Sequence, residues 1–310
     1  MKVLVADVPH RRELEPLPEG VELVAEPADD VEFVVFGPEL ARGGAALFKR
    51  LPGLRVVQSI AAGVDSLLPR VPEGVVVCGA SGAYNIAVAE WVVATLLALR
   101  WRLPGFQELQ LRGEWDSNAG NWFTTGPSSV GEIDDLDGVT VLILGHGSIG
   151  RALAARLEPF GAHVIGVASH ARTDAEPPEA LPRLLPEADV VVVLVPLNAQ
   201  TRRMVDAQFL AQMKDGALLI NAARGTVVDT SALIEALSAG RIRAALDVTD
   251  PEPLPPDHPL WHAPNVLITP HVAGAVVCSR VRAYRLAGEQ LRRYAAGEPL
   301  LNVNAGMKPR

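Results

Sequence analysis

"ILGHGSIGRALAARLEPFGAHVIGVASHAR", Ile143–Arg172, leaves an apolar strand pattern, passes three spaced glycines, enters a helical pattern and emerges in a second strand. The glycines form G-x-G-x-x-G at Gly145, Gly147 and Gly150. In a strand–turn–helix setting the first glycine permits a tight turn, the second lets backbone approach a pyrophosphate, and the third allows close helix-to-strand packing. Ser148, Ile149 and Gly150 then open a helix whose amino end faces phosphate charge. The stretch is predicted to hold a dinucleotide.

The second strand ends Val167-Ala168-Ser169-His170-Ala171-Arg172. An NAD site usually offers Asp or Glu here to the ribose hydroxyls, and that carboxylate would repel the additional phosphate of NADP. A hydroxyl, an imidazole and a guanidinium, at Ser169, His170 and Arg172, can instead hydrogen-bond or pair with such a phosphate. NADP(H) is the favoured cofactor, with NAD(H) possible.

Outward from this stretch, short β-branched runs alternate with helical patterns. VLVADV, VEFVVFG, LRVVQSI and VVVCGA precede residue 81; VTVLILG, HVIGVAS, VVVVLV, ALLINAA, IRAALDV and NVLIT follow residue 138. Near-continuous apolar strands of this kind belong in parallel sheets covered on both faces. With 310 residues, two doubly wound α/β units are the natural partition. IAVAEWVVATLLALRW, Ile86–Trp101, reads as a buried helix crossing between lobes, and Gly113–Asp137 as a surface connection. A last helical pattern, about Val276–Ala296, follows the second sheet and is expected to return to the first lobe. A net charge of −8 argues against nucleic acid and anionic membrane as partners. No uncharged run approaches the roughly 20 residues of a membrane span, and the amino end lacks a signal-peptide pattern, so a cytoplasmic protein is expected. Cys78 and Cys278 have no metal-type spacing and are read as buried thiols.

Three later segments each place a reactive side chain just past a strand. Arg224 follows ALLINAA, Glu252 lies in the turn after IRAALDV, and His271 follows NVLIT. The carboxyl ends of strands in a doubly wound sheet face the ligand crevice, which allows the three to converge.

With these residues in place, the sequence resembles the D-isomer-specific 2-hydroxyacid dehydrogenases, in their glyoxylate/hydroxypyruvate reductase-like branch. The matching segments are "GHGSIG", "VPLNAQTRRMVD", "LLINAARGTVVDTSALIEAL", "AALDV", "PEPLPPDHPLW" and "NVLITPHVAG", with "AAGVD" and "NIAVAEW" earlier. The resemblance implies a Rossmann dinucleotide-binding domain (98–275) inserted into a smaller flavodoxin-like substrate domain (1–97 and 276–310), a cleft at their junction and a homodimer. It implies that Arg224 clamps the substrate carboxylate, His271 is the acid/base and Glu252 holds the imidazole. Ala62, Gly63 and Val64 would offer backbone to the same carboxylate. Asp247 would face the nicotinamide carboxamide, with Pro196, Thr201 and Ala222 also at the cofactor.

The chemistry fits those residue types. As a 2-keto acid is reduced, the carbonyl oxygen gains charge and then a proton, which a protonated His271 in hydrogen-bond reach supplies. Arg224 matches a carboxylate with two parallel hydrogen bonds. The expected substrate is a small 2-keto or 2-hydroxy acid such as glyoxylate or hydroxypyruvate. A short phosphoglycerate dehydrogenase-like enzyme and a dinucleotide-sensing corepressor-like protein stay open as alternatives. The formate dehydrogenase branch resembles this pattern with Gln in place of Glu252, and no further regulatory domain is expected. His258 is expected to be structural or exposed, while Trp115, Trp122 and Phe123 are candidates to cover the cleft.

Overall fold

Twelve strands form among the described residues, in chain order: β1 (Lys2–Val5), β2 (Glu22–Val24), β3 (Val31–Phe36), β4 (Val56–Ser59), β5 (Val76–Cys78), β6 (Thr140–Leu144), β7 (His163–Val167), β8 (Val190–Val193), β9 (Leu218–Asn221), β10 (Arg243–Leu246), β11 (Val266–Ile268) and β12 (Val303–Ala305). The structure, a computed structural model, describes residues 1–6, 8–41, 43–119 and 126–305. They make two six-stranded sheets, one in each of two compact units: Met1–Ala87 with Gly274–Arg310, and Val88–Ala273.

The first unit has strand order β12-β5-β4-β3-β1-β2. Its five leading strands are parallel in the flavodoxin-like order, and β12 joins β5 antiparallel. The helix Val277–Ala296 returns to this sheet, where Ala283, Tyr284, Ala287 and Leu291 are buried with Val3, Val5, Phe33 and Val35. Leu4, Val34, Val57 and Val77 point to the other face and meet Leu47, Phe48 and Leu51. The short strands β2 and β12 carry no strong apolar run.

The second unit has order β11-β10-β9-β8-β6-β7, all parallel. A single parallel bridge from Val167 to Glu176 lies beyond β7, in the position of a further strand. Alternation splits each strand between two cores: Leu142, Leu144, Val191, Val193 and Leu219 face one side, and Val141, Ile143, Val190, Val192 and Ile220 the other. Each fully buried aliphatic side chain of this kind contributes roughly 1.5–3 kcal/mol. Both faces are covered, which is why these strands read as unbroken apolar runs rather than alternating ones.

The helix Asn85–Arg100 is less enclosed than its composition implies. Ala89, Val92, Leu96 and Leu99 are buried in the second unit's core, but Ile86, Glu90 and Ala94 are exposed. Because that buried face belongs to the second unit from Val88 onward, the division falls at Ala87/Val88 rather than at 97/98, and the later one at Ala273/Gly274. No helix among the described residues is long and apolar enough to cross a membrane.

Candidate active site

The three fingerprint glycines serve distinct ends. Gly145 has φ +100°, and a Cβ there would lie 2.6 Å from the carbonyl carbon of Leu194. At Gly150 a Cβ would stand 2.7 Å from the Gly145 carbonyl oxygen, so β6 and the helix Ser148–Leu157 are in backbone contact. A Cβ on Gly147 would meet nothing within 4 Å. The turn is therefore packed on its protein side and open at its middle glycine, and the helix begins there without a side-chain cap. Open backbone at an uncapped helix N-terminus suits a pyrophosphate, so the residues present fit a dinucleotide.

His146, between the first two glycines, is buried under this turn and fits only because β7 carries Gly166, where a Cβ would be 2.4 Å from the His146 ring. Burial lowers the His146 pKa; Asp174 raises it, while Arg151 and Arg172 lower it further. Its Nδ1 has no hydrogen-bond partner among the described residues.

Of the residues expected at the end of β7, Arg172 turns back to the fingerprint, donating from Nη2 to the His146 carbonyl at 2.6 Å. Its Nε lies 3.2 Å from Asp174 Oδ1. Ser169 and His170 are exposed and pair with each other, Oγ to Nδ1, at 3.1 Å. Asp174 was not anticipated, because it follows the strand by a turn rather than ending it.

At the other end of the sheet, β9, β10 and β11 are neighbours, so the loops at their carboxyl ends emerge side by side at strand spacing. Glu252 Oε1 is 2.6 Å from His271 Nδ1. An ionised carboxylate only accepts, so Nδ1 carries the proton and Nε2 is left for chemistry. His271 has φ +54° and donates its backbone N–H to the Asp247 carbonyl at 2.7 Å.

Buried Asp247 organises the turn that carries His271. Its Oδ1 accepts from Thr269 Oγ1 at 2.6 Å and Val272 N at 2.8 Å, and its Oδ2 from Ala273 N at 2.9 Å. The Arg224 loop is shaped by Asn221, which is buried at the end of β9. Asn221 donates to the Arg224 carbonyl at 3.1 Å and accepts from Ala223 N at 3.0 Å. Arg224 is half-buried, with Nη1 donating to the Ala223 carbonyl at 2.8 Å. Gly225 brings this loop onto the one leading to Glu252, since a Cβ there would fall 1.9 Å from the Thr249 carbonyl oxygen. The roles of Asn221, Gly225 and Asp174 escaped sequence reasoning; a polar residue closing an apolar strand, as in LLIN, was the available signal for the first.

Thr201 Oγ1 donates to the Pro196 carbonyl at 2.6 Å and receives the Asn198 N–H, closing the loop after β8. Ala222 N donates to the Val193 carbonyl, beside that loop's strand. Ala62, Gly63 and Val64 follow β4 in the first unit, with Val64 buried. His258 caps the turn Pro259–His262, accepting the Leu260 N–H at Nδ1. Trp115 is exposed; Trp122 and Phe123 lie outside the described residues. Cys78 is buried, but Cys278, near the start of the returning helix, is exposed rather than buried.

Residues 93–273, which hold the fingerprint and all three loop residues, match the family model for the D-isomer specific 2-hydroxyacid dehydrogenase NAD binding domain. The chain belongs to this family. A glyoxylate reductase of Thermofilum pendens is 36% identical over 263 residues, covering 82% of this chain and 76% of that protein. A mitochondrial formate dehydrogenase of Hordeum vulgare is 33% identical over 261 residues, covering 80% of this chain and 66% of the relative. Among solved structures, an NADPH-dependent glyoxylate/hydroxypyruvate reductase of Sinorhizobium meliloti, in complex with NADP and sulfate, is similar with TM-score 0.81 and 27% identity over 98% of both chains.

Proposed function

We propose that this 2-hydroxyacid dehydrogenase reduces a small 2-keto acid, of the size of glyoxylate or hydroxypyruvate, using NADP(H) in preference to NAD(H). The observation that carries the reading is the 2.6 Å contact of His271 Nδ1 with Glu252 Oε1 on loops beside Arg224. A bound nicotinamide supplies the hydride. Arg224 binds and orients the substrate carboxylate through its planar fork. His271, protonated, donates from Nε2 to the substrate oxygen as charge builds there, and Glu252 stabilises the imidazolium across Nδ1. In the oxidative direction the neutral imidazole takes the proton. Asp247, besides holding the turn, is assigned to the carboxamide, and Pro196, Thr201 and Ala222 are assigned to the cofactor as well. The resemblance alone assigns the backbone of Ala62, Gly63 and Val64 to the carboxylate.

NADP(H) preference is supported by the absence of an acid at Ala168 and by Arg172 lying on the fingerprint turn. A homodimer acting in the cytoplasm completes the reading; exposed Trp101, Leu103, Leu111 and Trp115 are apolar area that a second copy would cover. Light scattering at twice the mass of one chain is the expected result.

The deciding experiment is a matrix of NADPH and NADH against glyoxylate, hydroxypyruvate, pyruvate, phenylpyruvate and phosphohydroxypyruvate. Steady NADPH oxidation with the first two is expected; cofactor binding without turnover on any keto acid would favour the sensor class. His271→Ala should lower kcat by about 10²–10⁴-fold, the usual worth of a general acid, while NADPH affinity stays near wild type. An active variant removes His271 from the chemistry.

A further inference from the structure

A carboxylate absent from the end of β7 stands one turn beyond it, at Asp174. After β7 the chain makes a turn closed by Arg172 N to the Ala175 carbonyl at 2.9 Å and Ala175 N to the Arg172 carbonyl at 3.3 Å. Asp174, within that turn, points back: Oδ1 is 3.2 Å from Arg172 Nε, and Oδ2 is 3.8 Å from Nε2 of buried His146. Arg172 meanwhile donates to the carbonyl of the same His146. One carboxylate and one guanidinium thus share the space over the second residue of the fingerprint, each a little over two-fifths exposed.

We propose that Asp174 sets the balance between NADP(H) and NAD(H), holding Arg172 by its charge and opposing a ribose 2′-phosphate while leaving an acceptor for a ribose hydroxyl. The inference rests on the reading that the fingerprint holds a dinucleotide. Two physical effects act in the same direction. A phosphate must draw the guanidinium away from a carboxylate it already pairs with, and it must approach that carboxylate as a like charge. A 2′-hydroxyl meets neither obstacle and gains a partner. Both groups are partly solvated, so the effect is moderate, and Asp174 limits the NADP(H) preference that Ala168 and Arg172 give without reversing it.

The test is calorimetric titration of the full chain with NADPH and with NADH, without substrate. Asp174→Asn should tighten NADPH by roughly fivefold, the scale of an exposed ion pair, while NADH is unchanged or weaker. Asp174→Glu should keep the wild-type ratio. In an Arg172→Ala background the effect of Asp174→Asn should shrink, because the guanidinium it restrains is gone. If wild-type protein binds both cofactors but Asp174→Asn leaves their ratio unaltered, or weakens both equally, Asp174 has only a structural place and the inference fails. Wild-type protein that binds neither cofactor overturns the dinucleotide reading, and this inference with it.

Discussion

His146 shows how a side chain can stand in plain view in a sequence while its environment does not. Its place inside the fingerprint was plain, but its burial depends on Gly166 in a neighbouring strand, which no local pattern reports. Burial makes proton uptake costly in the folded protein, so its pKa falls below the ordinary 6.5. Above that value both folded and unfolded chains carry the ring neutral, and its contribution to stability is complete. As the pH falls below it, the unfolded chain takes the proton first, and stability is lost progressively toward the folded-state pKa. The thermal midpoint should therefore drop between pH 7.5 and 5.5, and drop less in His146→Gln. Equal drops in the two proteins would show that the ring does not contribute. Arg224 and His271 stand close after apolar strands, where a sequence reading looks first, whereas Asp174, like Glu252, is displaced from its strand by a turn.

Among the elements, the strands that read clearly are those whose two faces are both covered. β6, β8 and β9 bury every residue from Val141 to Leu144, Val190 to Val193 and Leu218 to Asn221. β2 and β12 escaped notice because a strand of three residues at a sheet edge carries no period to detect. Loops are harder still, since their shape depends on contacts across the sheet. Gly225 is the instance with consequences for the site. Any side chain there must displace the Thr249 carbonyl, and with it the loop that leads to Glu252. Gly225→Ala should lower kcat/KM for the keto acid by at least about tenfold, as misplacements near 1 Å commonly do, and leave NADPH affinity within about twofold, the scatter expected for distant, uncoupled sites. Loss of both in proportion would mean a wider collapse; retained kcat/KM would show that the two loops need not touch.

At the scale of the whole molecule, the first unit depends on chain ends nearly 300 residues apart in a sequence of 310. The expectation of a returning helix came from its position after the completed second sheet, but what it packs against was not legible. The structure sets Gly288 so close to the turn Pro9–Leu14 that a Cβ would be 2.5 Å from the Leu14 carbonyl oxygen. Gln290, buried on the same helix, donates to Gln58 Oε1 at 3.0 Å and to the Leu301 carbonyl at 2.8 Å, linking β4 to the chain's last segment. Tyr284 is the largest fully buried side chain among the described residues, packed with Val3, Phe33 and Ala80, and burial pushes its hydroxyl pKa up to about 12. Tyr284→Ala should therefore cost the first unit about 3–5 kcal/mol, as for other large aromatic truncations. Among the described residues, the core cluster that holds it lies wholly in the first unit. Hydrogen exchange should accordingly accelerate in β1, β3 and β4 while β6, β8 and β9 keep their protection, and NADPH should still bind. Uniform acceleration across both sheets would show that the two units unfold as one, and that the helix supports more than the sheet it touches.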